Sequence, residues 1–231
     1  MKEKQGLYSP EFEHENCGAG FICNLKGKKS NDIIHKALEI LEKLEHRGAV
    51  SSDGKTGDGA GILIDIPHDF FVENCDFNIP ESREYAMGNV FLPRKSNQRE
   101  YCKRIFEEQL KLKGLILLGW RNVPVDNEHL GAIAAEVEPY IEQIFVGKPE
   151  EGLNDQKFQI QLFAARKVTE HIILKSKLSE RAYFYLPSLS TKTLIFKGLL
   201  MPEDIKFYYK DLLDPKVVTR LALVHQRFST N

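Results

Sequence analysis

The sequence has almost no net charge: 32 Lys and Arg stand against 33 Asp and Glu, a formal −1. That removes any bulk electrostatic drive toward DNA, RNA or an anionic membrane. Long apolar runs are missing too. A run such as Leu115-Ile116-Leu117-Leu118 is far below the roughly 18 residues a bilayer-spanning helix needs. The first sixteen residues, MKEKQGLYSPEFEHEN, have no apolar core and carry Glu3, Glu11, Glu13 and Glu15, which excludes a secretory signal and a basic, acid-poor transit peptide. Cysteine is scarce, four in 231 residues at 17, 23, 75 and 102, too few for a disulfide scaffold and consistent with a reducing cytoplasm. The seven histidines, at 14, 35, 46, 68, 129, 171 and 225, show no pairing with cysteine or carboxylate that fits zinc, so no metal is expected. Internal repeats and low-complexity linkers are absent; the charged stretch 147–156 reads as a surface loop inside a single domain.

What is present is an ordinary globular composition, 42% hydrophobic and 28% charged. The small-residue run Gly18-Ala19-Gly20 opens a strand expected to be buried, with room for close approach of another backbone or ligand. Ser30 or Asn31 is placed to cap a helix whose Ile33, Ile34, Ala37, Leu38, Leu41 and Leu44 recur at helical spacing, with Gly48 as its stop. A glycine loop, 49–61, leads into a strand over 62–66. Further strands are expected at 85–92, 115–120 and 137–146. A helix from a capping box at Asn97 and Glu100 should end near Gly114. The alternation Phe158, Ile160, Leu162, Ala164 suggests a strand running into a helix over 167–178. Segments 182–186 and 193–196 should form a hairpin, Pro202 should open a helix to Leu213, and a last strand is expected over 219–228. Strands without a strict strand-helix repeat indicate an α+β fold with a mixed sheet.

The glycine loop does not make a phosphate site. Gly54-Lys55-Thr56 lacks the required earlier glycine, since position 49 is Ala, and a helix precedes and a strand follows, the reverse of a phosphate-binding loop. A tight turn returning the chain to the sheet is the expected role. Cys23, on an apolar strand, Cys75, after a short helix, and Cys102, on the polar side of a helix start, read as structural or incidental. Cys17 differs, because it lies between a polar acidic leader and small residues, where a thiol can be an exposed nucleophile.

The run FEHENCGAGF at 12–21, LEHRGA at 44–49, TGDGAGIL at 56–63, IPHDFF at 66–71 and the terminal LALVHQRFSTN at 221–231 resemble the amino-terminal glutaminase domain of glutamate synthase large subunits, which are class II glutamine amidotransferases. FLP at 91–93, LFAARK at 162–167 and YLPSLSTKTLIFKGLL at 185–200 extend the likeness from Gly6 to Asn231. The resemblance implies an N-terminal-nucleophile (Ntn) hydrolase fold, a four-layer αββα sandwich, incomplete at its C-terminus. It implies a propeptide, 1–16, and an amidotransferase domain, 17–231, in a cytoplasmic enzyme of ammonia assimilation and glutamate biosynthesis.

Removal of the propeptide would expose the α-amino group of Cys17. A free amine has an ordinary pKa of about 7.7–8.0, suited to activating the thiol beside it, so one residue would supply nucleophile and base. The resemblance assigns Arg227 to the α-carboxylate of L-glutamine, where a planar guanidinium can bind bidentately, and Thr230 to the same pocket. Arg47 and Gly48 would form a loop near the nucleophile. The ammonia would pass to 2-oxoglutarate in synthase domains of the same parent chain, an oxidoreductase carrying FMN and an iron–sulfur cluster, with a small reductase subunit as a further partner; no nucleic acid or membrane partner is expected. The asparagine-glycine pair of the oxyanion hole would follow residue 231, so the chain alone is expected to be weak or inactive. The alternative is a non-catalytic fragment or glutamine-binding module that keeps the fold.

Overall fold

A computed structural model describes residues 18–149 and 153–226. Two antiparallel sheets organise it. The first has the order β1-β7-β2-β6, built from β1 (Gly18–Cys23), β2 (Ala60–Asp65), β6 (Thr193–Gly198) and β7 (Leu221–Gln226). Helix α1 (Asp32–Lys43) covers one face of this sheet. Its buried Ile33, Ile34, Ala37, Leu38 and Leu41 meet Ile62, Ile64, Ala222 and Val224, the alternate residues of the strands, as period-2 side-chain geometry requires. Gly20 makes this approach feasible, because a Cβ there would lie 2.3 Å from Ile40 Cγ2.

The second sheet, order β3-β5-β4, consists of β3 (Tyr85–Leu92), β4 (Ile116–Asn122) and β5 (Tyr140–Gly147). Both outer strands run antiparallel to β5 and hence parallel to each other, with α3 (Ser96–Leu112) as the crossover between them, a split βαβ unit. Helix α5 (Asp155–Leu174) packs beside α3. Together they bury Ala86, Val90, Ile144 and Val146 from one face of the sheet, while Tyr85, Met87 and Phe145 on the other face join the core that holds α1 and β2. Short helices α2 (His68–Asn74), α4 (Ala132–Glu136) and α6 (Ile205–Tyr208) complete the outline.

The α+β class, the strand at 85–92 and the helix at α1 match their sequence expectations, but the mixed sheet does not: every strand pair of the two sheets is antiparallel. Several local readings also differ. The alternation at 158–164 belongs to α5, where Phe158, Leu162 and Ala165 are buried at helical spacing and Ile160 and Phe163 face outward. Residues 182–186 do not form a hairpin with β6. Tyr185 and Ser190 instead bridge Phe91 and Met87 on the free edge of β3, and Gly88 admits them, since its Cβ would lie 2.0 Å from the Ser188 carbonyl oxygen. The helix expected from Pro202 breaks into α6 and a 3-10 turn at Lys210–Leu213. Cys102 is fully buried, whereas Cys23 is exposed, the reverse of the polarity read from their neighbours. Strand β1 is an edge strand with its odd-numbered residues in solvent, so only half of the expected burial is found. Asn31 sits at the N-cap of α1 without a side-chain cap; its Nδ2 donates to the carbonyls of Asp214 and Val217, tying the helix start to the segment before β7.

Asp65, at the end of β2, fixes the other end of that segment. Its carboxylate accepts from Arg220 Nε, Nη2 and backbone N–H, and from Thr219 Oγ1. Burial pushes the Asp65 carboxyl up, but the Arg220 contacts outweigh it and hold it below its ordinary value of 3.8. The charged form is therefore preferred in the folded state. Its stabilising contribution is complete above about pH 4 and is lost as pH falls through the lowered native value. Asp65→Asn is expected to cost about 2 kcal/mol at pH 7, discounted for the partly exposed arginine. The gap between variant and wild type should close near pH 2 in urea unfolding.

Candidate functional site

One end of the first sheet is a row of four paired residues. Gly18 pairs with Gln226, Gln226 with Ala60, and Ala60 with Gly198. Three of these four carry a methyl group or nothing, so Gln226 is the one long side chain in the row. It is 1% exposed and lies on the α1 side with Ala222 and Val224, the alternate buried positions of β7.

The loop after α1 closes on this row. Helix α1 ends at Lys43 and a 3-10 turn, Glu45–Arg47, carries the chain to Gly48. Arg47 has an exposed side chain, but its Cβ would be 3.0 Å from a Cβ at Gly18. Gly48 is not a left-handed helix stop, because its φ of −94° and ψ of 172° are ordinary extended backbone. The glycine is needed for space: a Cβ would stand 2.1 Å from Gln226 Nε2 and 3.1 Å from Asp58 Oδ1.

The glycine loop packs beside it as a structural turn. Val50 bridges Gly57, Asp58 N–H donates to the Ala49 carbonyl, and Gly54 takes a φ of 70°, where glycine carries no steric penalty. Asp53 accepts from Thr56 Oγ1 and N–H, and also from the Lys55 and Ile133 N–H groups. The Thr56 bonds, reinforced by Ile133, hold its carboxyl well below the usual carboxylate range. Thr56 Oγ1 in turn accepts from Ala134 N–H, so the loop caps α4 from outside. Gly57 lies against the Leu200 carbonyl, 2.3 Å from where its Cβ would be.

Of the residues singled out from sequence, the structure places Arg47 and Gly48 together at the Gly18–Gln226 end of the sheet. Cys17, Arg227 and Thr230 lie outside the described residues. Their chain neighbours do not: Gly18 follows Cys17 and Gln226 precedes Arg227, and those two are direct antiparallel partners. Sequence reading missed Gln226 and Asp58. The signal for Gln226 was an amide at the third inward position of an otherwise apolar strand, after Ala222 and Val224. Among the described residues no group of three His, Cys, Asp or Glu side chains could hold a metal ion, and no helix is long and apolar enough to cross a membrane.

Comparison with known proteins bears on the same residues. The chain is 40% identical over its full length to the NADPH glutamate synthase large chain of Bacillus subtilis, and covers 15% of that protein. It is 42% identical over its full length to the NADH glutamate synthase of Saccharomyces cerevisiae, covering 11%. Against a ferredoxin-dependent glutamate synthase of Synechocystis the identity is 37% over 95% of the chain and 14% of the relative. The chain thus spans under a sixth of the length of these relatives. The family model described as class-II glutamine amidotransferases matches residues 17–231, a run that contains the Gly18–Gln226 pair, the Arg47–Gly48 loop and the whole sheet that joins them, and the chain belongs to that family.

Proposed function

We propose that this chain is the glutamine-hydrolysing part of a glutamate synthase, with Cys17 as nucleophile once residues 1–16 have been removed. The observation that carries the reading is the pairing of Gly18 with Gln226 beneath the Arg47–Gly48 loop. It brings the residue after the proposed nucleophile against the residue before the proposed carboxylate-binding arginine. In this reading the Cys17 amine takes the thiol proton and the thiolate attacks the side-chain amide carbon of glutamine. A thioester forms as ammonia leaves, and water then releases glutamate. Arg227 holds the substrate α-carboxylate and Thr230 completes the pocket. The leader must go first, because while Asn16 is attached the nitrogen of Cys17 is an amide without basicity. The start of the family match at residue 17 supports this boundary.

The remainder of such an enzyme would use the ammonia on 2-oxoglutarate in synthase domains carrying FMN and an iron–sulfur cluster. The words "large chain" in the name of the Bacillus relative motivate a smaller reductase subunit as partner, and a cytoplasmic location goes with this role. The four-layer Ntn sandwich is supported by an open face. Opposite α1, the cross-strand row Phe21–Leu223–Leu63–Ile195 is apolar, with Phe21 59% and Leu223 44% exposed. A second sheet packed there would bury it at the usual separation of about 10 Å.

Three outcomes test the proposal. Mass spectrometry of the intact enzyme should find an N-terminus at Cys17; a fully active protein starting at Met1 or Lys2 would sink the maturation step. Cys17→Ala should lower glutamine-dependent synthesis by about 1000-fold or more and leave ammonia-dependent synthesis in place. Leu223→Asp should destabilise the intact enzyme by about 3 kcal/mol, since it would bury a charge between sheets; an unchanged melting temperature would mean that the face stays in water.

A further inference from the structure

Between β6 of the first sheet and β3 and β5 of the second lies a cavity of about 180 Å³. Ile141, Leu200 and Tyr209 in its lining are buried, and Phe91 and Tyr185, whose rings stack 5.8 Å apart, add an aromatic wall. A dry apolar cavity of roughly 150 Å³ is large enough to bind benzene, so this chamber takes an apolar group the size of a leucine or phenylalanine side chain. Two charged side chains, Glu138 and Lys197, also line it, and both are partly exposed. Glu138 accepts from Tyr208 Oη at 2.9 Å and from Asn127 Nδ2 at 3.2 Å. Those donors are neutral; they orient the carboxylate without offsetting its charge, and its remaining lone pairs can accept a further donor. Lys197 Nζ donates to Tyr185 Oη at 3.3 Å and stands 5.0 Å from the centre of that ring, with further N–H donors on the same ammonium. One anion and one cation, each oriented by its neighbours, thus border one apolar chamber.

We infer that this cavity binds an apolar α-amino acid of about the size of leucine or phenylalanine. The side chain fills the chamber, the ammonium meets Glu138 and the carboxylate meets Lys197. Charge complementarity selects this class: a simple carboxylic acid leaves Glu138 without a cation, a simple amine leaves Lys197 without an anion, and an α-amino acid serves both through charge-assisted hydrogen bonds. Glutamine fits poorly, because its side-chain amide would be desolvated against apolar walls. Groups already held in place lower the cost of binding. The chamber lies behind the glycine loop, since Leu200 packs against Gly57 and Ala134, also in the lining, donates its N–H to Thr56 Oγ1. The inference is independent of the assignment of Cys17.

Isothermal titration of the intact enzyme with L-leucine and L-phenylalanine tests it. At least one should bind with a Kd of about 1 mM or below. Relative to L-leucine, 4-methylpentanoate, which lacks the ammonium, and 3-methylbutylamine, which lacks the carboxylate, should each bind about 10-fold more weakly or worse. Glu138→Gln and Lys197→Met keep the shape of the lining and should each weaken the amino acid about 10-fold. Ala134→Leu fills the chamber and should abolish binding; if that variant does not fold, the two charge variants decide. Absence of binding by either amino acid at about 10 mM would overturn the inference and mean that another part of the chain covers this face. Unchanged affinity in both charge variants would also overturn it, as would competition by L-glutamine, which would place the amino acid in the substrate pocket.

Discussion

Strand β7 holds the first sheet together, and the pairing of its last residue, Gln226, with Gly18 decides what lies at the functional end. A strand flanked on both sides leaves no freedom of register, because a one-residue slip would turn Ala222, Val224 and Gln226 out of the core and Leu223 and His225 into it. The pairing works only because Gly18 and Gly48 lack side chains where the Gln226 amide and the Arg47 stem must fit. Two glycines far apart in sequence therefore serve one contact.

Polar groups fix the elements around that strand. The Asp65–Arg220 pair ties the start of β7 to the end of β2. Arg121 on β4 binds Asp211 bidentately at 2.7 and 2.8 Å and donates to Gln143 on β5 as well. With Asp211 4% exposed, the bidentate geometry matches both carboxylate oxygens with guanidinium donors, which offsets the cost of burying the charge. It links the second sheet to the 3-10 turn before β7. Asp53 and Thr56 perform the same service for the glycine loop and α4. The loop that glycine content makes look like a ligand cradle is thereby committed to structure by the Asp53 and Thr56 bonds.

The arrangement separates support from chemistry. Helix α1, with the Arg47–Gly48 loop at its end, covers one face of the first sheet. The opposite face presents the row from Phe21 to Ile195, with Phe21 and Leu223 open to solvent. An apolar row that crosses all four strands of the sheet is expected where another layer docks.

Amphipathic elements were legible from the sequence alone, because helix α1 and strand β3 announce themselves by local periodicity. The ordered motifs carried the family, which no single residue could. Periodicity failed at 158–164, where alternation and helical spacing coincide over a few residues and only packing against α3 selects the helix. It failed for 182–190 too, where the choice between β6 and the edge of β3 rests on the space left by Gly88. Gly48 was legible as a necessary glycine, but for the wrong reason; its dihedrals are ordinary, and a neighbour more than a hundred positions away excludes the side chain. The sequence by itself determined which segments could be helix or strand and which family chemistry they serve. The tertiary structure alone decided that Gly18, Gly48 and Gln226 meet, because close approach across a sheet depends on register and shape, which no local pattern encodes.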